Sequence, residues 1–174
     1  DIPVIGITGS VGKTTTKEMI AAVLTQKYNT HRPEKNFNNE LGVPWTLLRL
    51  DDANEVSVVE MGISDFGEMR RLTHIVRPKI AVMSVIGDSH LEFLGDRAGV
   101  LRAKGEIFET MGSEDLAILN GDDAMLKDFV PHTRRMTYGM QDGNDFVAKD
   151  VRNLGVDGIS CTIDHHGTSF EAHI

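Results

Sequence analysis

The fold of this chain is decided by the stretch Thr8-Gly9-Ser10-Val11-Gly12-Lys13-Thr14-Thr15. It follows the apolar run 2–7 and precedes a helix-like segment that starts near Lys17. A strand, a glycine-rich turn, Gly-Lys-Thr and a helix form the context that a phosphate-binding P-loop requires. The backbone N–H groups of such a loop surround phosphate oxygens, and the helix directs its positive end toward them. We therefore predict that Lys13 reaches the β- and γ-phosphates of a nucleotide and that the Thr14 hydroxyl binds Mg²⁺.

The spacing of this loop departs from the usual P-loop pattern. In G-x-x-x-x-G-K-[ST] the first glycine falls on Ile7, with Gly6 and Gly9 on either side. The loop is therefore either a variant P-loop or a tight turn without a ligand. The preceding strand and the following helix favour nucleotide binding. The residues expected to bind the nucleotide here are Gly9, Ser10, Val11, Gly12, Lys13, Thr14 and Thr15.

Composition excludes several classes of protein. The chain has 174 residues, of which 40% are hydrophobic and 25% charged, as in an ordinary globular domain. A net charge of −8 argues against a nucleic-acid groove, because binding the phosphate backbone needs a basic face. The single cysteine, Cys161, permits no internal disulfide, and this fits a cytoplasmic protein. No apolar run approaches membrane-spanning length and no signal peptide is visible, so we expect no membrane insertion.

The alternation of apolar runs and helical patterns predicts an α/β fold. Strand-like runs cover 4–8, 56–61, 80–86 and 116–120, and helical patterns cover 14–27, 42–50, 66–75, 96–111 and 123–129. This order predicts a mostly parallel sheet with helices on both faces. After about Arg134 come short strand-like runs separated by turn signals, at 135–138, 145–153, 158–163 and 169–174. They predict a small antiparallel β appendage, packed beside the main sheet at the C-terminal end.

Polar residues follow the predicted parallel strands. Glu60 ends the second strand, His90 lies in the segment after the third, and Asn120 ends the fourth. Ligands of open α/β sheets bind at the carboxyl ends of the strands, where the P-loop also lies. Glu60 is either a solvated loop glutamate or a metal-binding carboxylate, and its position at this edge favours the metal role. His90 is either a structural histidine or, as a neutral imidazole, a ligand for a second metal.

Lys104 occupies an unusual position for a lysine. Leu101, Phe108 and Met111 recur at helical spacing, and Lys104 falls in the same apolar stripe. A lysine there either extends its amine toward solvent or has a specific function. The polar cluster 36–39 presents a similar choice, because asparagines before a helix either cap it or bind a ligand.

Taken in order, these segments resemble the Mur ligase family, which makes amide bonds in peptidoglycan precursors. The P-loop of that family has the form G-x-x-G-x-x-G-K-[ST], which accounts for the displaced glycine. The matching residues are Gly6, Gly9, Gly12, Lys13 and Thr14, together with the segments 36–48, 60–62, 90–92, 103–108 and 119–123. The likeness covers essentially the whole chain. It is greatest to the branch that adds D-alanyl-D-alanine to UDP-N-acetylmuramoyl-tripeptide.

The resemblance implies an ATP site with two Mg²⁺ ions. Lys13 and Thr14 would hold the ATP phosphates and the first Mg²⁺, and Glu60 would be a ligand of the same ion. His90 matches the second-metal histidine of the family. Lys104 matches the lysine that family members carbamylate with CO₂, which would place a carboxylate beside the metal. Lys13, His90 and Lys104 are thus the expected catalytic residues.

Two asparagine roles also come from the resemblance. Asn120 matches the residue on the adenine side of ATP. Either Asn38 or Asn39 matches the asparagine near the γ-phosphate and the substrate, and Asn39 is the predicted contact.

The resemblance further implies that residues 1–174 are the central ATP-binding domain of a three-domain enzyme, incomplete at its carboxyl end. The UDP-sugar-binding domain and the carboxy-terminal domain would lie outside this sequence. The isolated piece is then expected to be a monomer without full ligase activity.

Three other functions stay open on the sequence alone. A MurE-like ligase or a folylpolyglutamate synthase would use the same mechanism on another amine. A P-loop regulatory switch would normally carry an Asn-Lys-x-Asp guanine motif, which the chain lacks. A third possibility is a nucleotide-binding fragment without turnover.

Overall fold

A single sheet organises the residues that the computed structural model describes, which are 2–33 and 37–174. Its strands are β1 Val4–Thr8, β2 Thr30–His31, β3 Val56–Glu60, β4 Ile80–Met83, β5 Leu116–Asn120, β6 Arg134–Gly139, β7 Phe146–Asn153, β8 Ile159–His165 and β9 Thr168–His173. Across the sheet they follow the order β2-β3-β1-β4-β5-β6-β7-β8-β9. Asn36, the first residue of the polar cluster 36–39, lies outside the described residues.

Strand β1 lies inside the sheet, in parallel between β3 and β4. Ile7 is opposite Glu60 on one side, and Thr8 is opposite Met83 on the other. Strand β5 continues the parallel set beyond β4. The carboxyl ends of these strands therefore meet at one edge, which confirms the mostly parallel α/β fold.

Helices cover both faces of the sheet. They are α1 Lys13–Thr25, α2 Gly42–Leu47, α3 Glu68–Val76, α4 Leu91–Leu94 and α5 Arg97–Gly105, and a 3₁₀ turn at Glu106–Phe108 follows α5. The strands alternate their side chains between two cores, as the period of two requires. Ile5 and Ile7 pack toward Ala21 of α1, whereas Val59 packs on the opposite face in the core that contains Leu72 of α3. None of the helices in the described ranges is long and apolar enough to cross a membrane.

The C-terminal strands confirm the antiparallel segment and correct its placement. Strands β7, β8 and β9 pair antiparallel, but they extend the main sheet instead of packing beside it. Strands β6 and β7 are also parallel to their preceding neighbours. The Asp145 carboxylate accepts hydrogen bonds from the Thr137 backbone N–H at 2.7 Å and the Thr137 hydroxyl at 3.0 Å. Thr137 lies in β6 and Asp145 directly precedes β7, so these bonds hold the start of β7 beside β6.

The helix predicted over 123–129 is wrong, because this segment is a series of turns. The Asp123 carboxylate accepts hydrogen bonds from the backbone N–H groups of Met125 at 2.8 Å and Leu126 at 3.1 Å. These bonds have the form of a helix N-terminal cap, but the backbone bonds after them are separate turns, with Lys127 N–H donating to the Asp123 carbonyl and Phe129 N–H donating to the Leu126 carbonyl. The helix predicted over 96–111 is shorter than expected, since α5 ends at Gly105 and the chain tightens into the 3₁₀ turn.

Candidate nucleotide and reaction site

The loop between β1 and α1 depends on two glycines. Gly9 has φ +143° and Gly12 has φ +82°, conformations that L side chains rarely adopt. Gly12 immediately precedes α1, so the positive end of that helix faces the loop. Lys13 Nζ donates to the Gly9 carbonyl at 2.9 Å, which holds its charge over the turn. Burial lowers the pKa of Lys13, and the nearby Glu60 carboxylate acts in the opposite direction.

The segment after β4 is hydrogen-bonded to the loop between β1 and α1. Ser84 Oγ donates to the Val11 carbonyl at 2.6 Å. Ser10 N–H donates to the Val85 carbonyl at 2.7 Å, and Ser10 Oγ accepts from Gly87 N–H at 2.9 Å. A Cβ added to Gly9 would lie 2.0 Å from Ser84 Oγ. The shape of the loop is therefore fixed by residues far away in sequence.

We expect Gly9→Ala to distort the loop, because it adds both a steric collision and a strained φ. Strain of this kind costs about 1–3 kcal/mol. Gly143→Ala is the matched control, since Gly143 has φ +97° with no atom within 4 Å of an added Cβ. Thermal unfolding and ADP titration of both variants test the prediction. Both should be destabilised, but only Gly9→Ala should lose ADP affinity, and equal ADP affinity would contradict the assigned role of the loop.

A buried carboxylate lies beside the loop. Glu60 is 1% exposed, and its Oε2 accepts from the Thr14 hydroxyl at 2.9 Å. Its Oε1 accepts from Asn38 Nδ2 at 2.7 Å. Because β1 and β3 pair in parallel, Glu60 lies next to Thr14, which precedes it by 46 positions. Asn38, which precedes Glu60 by 22 positions, also reaches it.

This donor set suits Mg²⁺. Hydroxyl and carboxylate oxygens are hard ligands, and Mg²⁺ is commonly held by one or two carboxylates together with substrate phosphates and water. Within 2–33 and 37–174 no group of three or more His, Cys, Asp or Glu side chains could hold a metal ion. Thr14 and Glu60 thus fit an ion that is shared with a phosphate, and do not form an all-protein metal cage.

A cavity of about 520 Å³ opens next to the loop. Lys13, Asn38, Asn39, Glu68 and His90 are among the side chains that line it. His90 comes directly before α4, with φ +58°, and is exposed. The P-loop, the β3 end and the segment after β4 therefore contribute side chains to one space, as the strand-end argument predicted.

The two asparagines of the loop before α2 have different contacts. Asn39 Oδ1 accepts from the backbone N–H groups of Leu41 at 3.2 Å and Gly42 at 2.8 Å, so it caps the start of α2. Asn38 is the one that bonds Glu60, and it lines both the large cavity and the smaller one at the P-loop. The contact predicted for Asn39 stays a prediction, and Asn38 is the better placed of the two.

Asn120 forms a local turn. Its Oδ1 accepts from Asp122 N–H at 3.0 Å, at the carboxyl end of β5. Its place on the adenine side of a nucleotide stays a prediction.

Lys104 is a buried residue of α5, with 1% of its surface exposed. Its pKa is lowered to about 8, first because burial disfavours the charged amine and second because Lys13 is nearby. No carboxylate in the described part of the chain forms an ion pair with it. The lysine in the apolar stripe is therefore buried, and it does not extend its amine into solvent.

Comparison with known proteins decides the family. The sequence profile described as "Mur ligase middle domain" matches residues 7–174. The chain belongs to the Mur ligase family. The resemblance on which the site residues were proposed is thereby confirmed at the level of the family.

Two similar proteins share one name. The chain is 39% identical over 180 residues to the UDP-N-acetylmuramoyl-tripeptide–D-alanyl-D-alanine ligase of Synechocystis, covering 99% of this Mur ligase domain and 40% of that protein. It is 42% identical over 148 residues to the Bacillus subtilis ligase of the same name, covering 85% of this chain and 32% of that one. The chain thus spans about two-fifths or less of the length of these relatives.

Solved structures agree with the sequence relatives. MurF from Thermotoga maritima in complex with ADP superposes with a TM-score of 0.88 at 31% identity, over 99% of this chain and 40% of that one. A diaminopimelate ligase (TM-score 0.76, 18% identity) and a Lactobacillus casei folylpolyglutamate synthase (TM-score 0.69, 15% identity) share the fold alone.

Proposed function

We propose that this Mur ligase domain is the ATP-binding domain of a MurF-type ligase. The full-length protein, here called the parent ligase, would add D-alanyl-D-alanine to UDP-N-acetylmuramoyl-tripeptide. The observation that carries the proposal is the hydrogen bond between the P-loop hydroxyl of Thr14 and the buried Glu60 carboxylate, beside Lys13. This arrangement has the parts of a phosphoryl-transfer site: a phosphate loop, a lysine and a metal-binding carboxylate.

The reaction proposed has two chemical steps. The terminal carboxylate of the tripeptide attacks the γ-phosphate of ATP, which gives an acyl phosphate and ADP. The amine of D-alanyl-D-alanine then attacks the acyl carbon, and the tetrahedral intermediate collapses to the amide and phosphate. The main demand on the protein is to hold crowded anionic groups in position and to offset their charge.

The P-loop residues meet the first part of that demand. Backbone N–H groups from Gly9 to Thr15 would surround the phosphates, and Lys13 would move from the Gly9 carbonyl onto the transferred phosphate. Thr14 and Glu60 would hold Mg²⁺, which when bound offsets charge on the phosphate oxygens. Asn38 donates to Glu60 and so leaves its carboxylate turned toward Thr14.

Lys104 and His90 are proposed to serve a second Mg²⁺. The pKa of about 8 leaves much of the Lys104 amine neutral near pH 8, and a neutral amine is what reacts with CO₂. The ammonium first loses one proton to become the neutral amine; a bond then forms between Nζ and the CO₂ carbon, a second proton leaves Nζ, and the product is a carbamate anion. Such an anion beside the Lys13 cation would relieve the repulsion that lowers the pKa of Lys104.

The name shared by the two relatives favours D-alanyl-D-alanine as the amine substrate over the substrates of the other ligases. The relatives that are 39% and 42% identical are both D-alanyl-D-alanine ligases, whereas the diaminopimelate ligase and the folylpolyglutamate synthase are 18% and 15% identical. The monomeric state, the cytoplasmic location and the adenine contact of Asn120 belong to the same proposal.

The test is phosphate release by the parent ligase with Mg-ATP and UDP-N-acetylmuramoyl-tripeptide. We expect release with D-alanyl-D-alanine and none with single amino acids. Release with a single amino acid would keep the mechanism and reassign the substrate. No release with any amine would leave a nucleotide-binding domain without ligase function.

A further inference from the structure

One buried residue, Ile86, is held by charged side chains on both of its backbone groups. Its N–H donates to Asp123 Oδ2 at 2.9 Å. Its carbonyl accepts from Arg97 Nε at 3.0 Å and Arg97 Nη2 at 2.5 Å. The Ile86 side chain is fully buried in the core, so the residue has little freedom to move. Hydrogen bonds to charged groups are roughly twice as strong as neutral ones.

Asp123, Ile86 and Arg97, together called the clamp, connect three parts of the site. Asp123 follows β5 and lies close to Asn120 in sequence. Gly87, the residue after Ile86, donates to Ser10 of the P-loop. Arg97 is the first residue of α5, seven positions before Lys104, and a separation of seven places both residues on one side of the helix.

The segment between Ile86 and Arg97 contains His90 and the short helix α4, and it is mostly exposed. Leu94 is its one fully buried residue between positions 88 and 97, while most of its neighbours are exposed. Two of its residues have positive φ, His90 at +58° and Gly95 at +80°. The Arg97 guanidinium closes this segment by bonding its first residue from its last, across 11 positions.

We propose that Arg97 is a positioning residue, which sets His90 and Lys104 relative to the P-loop through its grip on Ile86. The proposal rests on the proposed ligase function, since it assumes that His90 and Lys104 act on the same reaction. Arg97 itself bonds a backbone carbonyl, and it is not among the described residues that line the cavity. Its loss should therefore reduce the rate of the chemical step more than the affinity for ATP.

The experiment compares Arg97→Lys and Arg97→Ala in the parent ligase. Arg97→Lys keeps the charge and the aliphatic stem but loses the two-pronged guanidinium. Arg102→Ala is the matched control, because Arg102 is an exposed arginine of the same helix whose guanidinium lies over the Phe66 ring, 5.7 Å from its centroid. The measurements are kcat, the KM for ATP, the Mg²⁺ concentration for half-maximal rate, and thermal unfolding.

We expect kcat to fall by about 10- to 100-fold in both Arg97 variants, the usual range for residues that orient metal ligands. The KM for ATP and the unfolding midpoint of Arg97→Lys should stay close to the control, and the Mg²⁺ requirement should rise. Added guanidinium should restore part of the kcat of Arg97→Ala. Unchanged kcat, or equal losses in kcat and ATP affinity without rescue, would overturn the proposal.

Amide hydrogen exchange of the 174-residue chain separates this proposal from the proposed function. Arg97→Ala should speed exchange within 87–95 and leave the strands unchanged. If the parent ligase and the control show no turnover, the proposed ligase function is contradicted. The exchange result still tests whether Arg97 holds the segment 87–95 in place. Unchanged exchange in 87–95 would overturn it.

Discussion

ATP turnover by the parent ligase is expected to fall by about 100- to 1,000-fold when Lys13 is replaced by alanine, the usual cost of losing one preorganised charge donor. Lys13 Nζ lies against the P-loop backbone, at 2.9 Å from the Gly9 carbonyl. The substitution removes the cation that would offset the negative charge on the transferred phosphate. The fold should persist, because Lys13 is only half-buried and forms no ion pair in the described residues.

Lys27→Ala provides the control for this measurement. Lys27 lies just beyond the other end of α1, and it is exposed. Phosphate release and thermal unfolding of the two variants should separate function from stability. A Lys13→Ala enzyme with full turnover would exclude the P-loop assignment.

Lys104→Met is expected to lower turnover by roughly 100-fold while leaving the protein as stable as before or more stable. Methionine fills a similar volume without a charge, and a buried unpaired charge is costly to the folded state. Activity and stability should therefore move in opposite directions. A residue with a purely structural role would not give that result, since its loss would lower both.

Carbon dioxide provides a second test of Lys104. With a pKa of about 8, roughly half of its amines are neutral at pH 8, against less than about 1% for an ordinary lysine. Removing CO₂ and bicarbonate should reduce turnover, and their return should restore it. Lys104→Ala should instead recover part of its turnover with added short carboxylates. Full turnover of Lys104→Ala in CO₂-free buffer would exclude the carbamate.

Local patterns were sufficient to predict which side chains lie near the strand ends. Glu60 and the P-loop could be placed together because parallel strands bring their carboxyl ends to one edge of a sheet. Lys104 could be singled out because its position within an apolar helical stripe is visible in sequence. Both inferences use a period or a topology rule and need no knowledge of side-chain contacts.

Contacts between distant residues could not be predicted in this way. The bond from Asn38 to Glu60 and the support of the P-loop by Ser84 depend on distances of a few ångströms between separate loops. The turns over 123–129 escaped prediction because the Asp123 carboxylate accepts from the N–H groups of Met125 and Leu126 as it would at the start of a helix, so the local signal of a cap and of a turn is the same. The direction of β6 also has no sequence signal, since turn residues mark where a strand starts and not which way it runs.

The position of β1 inside the sheet has a consequence for synthesis on the ribosome. Strand β1 emerges before its partners β3 and β4, and the P-loop that follows it depends on Ser84. Such long-range pairing makes folding slow and leaves unpaired strand edges exposed in the meantime. A nascent chain that ends before Ser84 lacks this support for the loop, so nucleotide can stabilise the domain only after Ser84 has been translated.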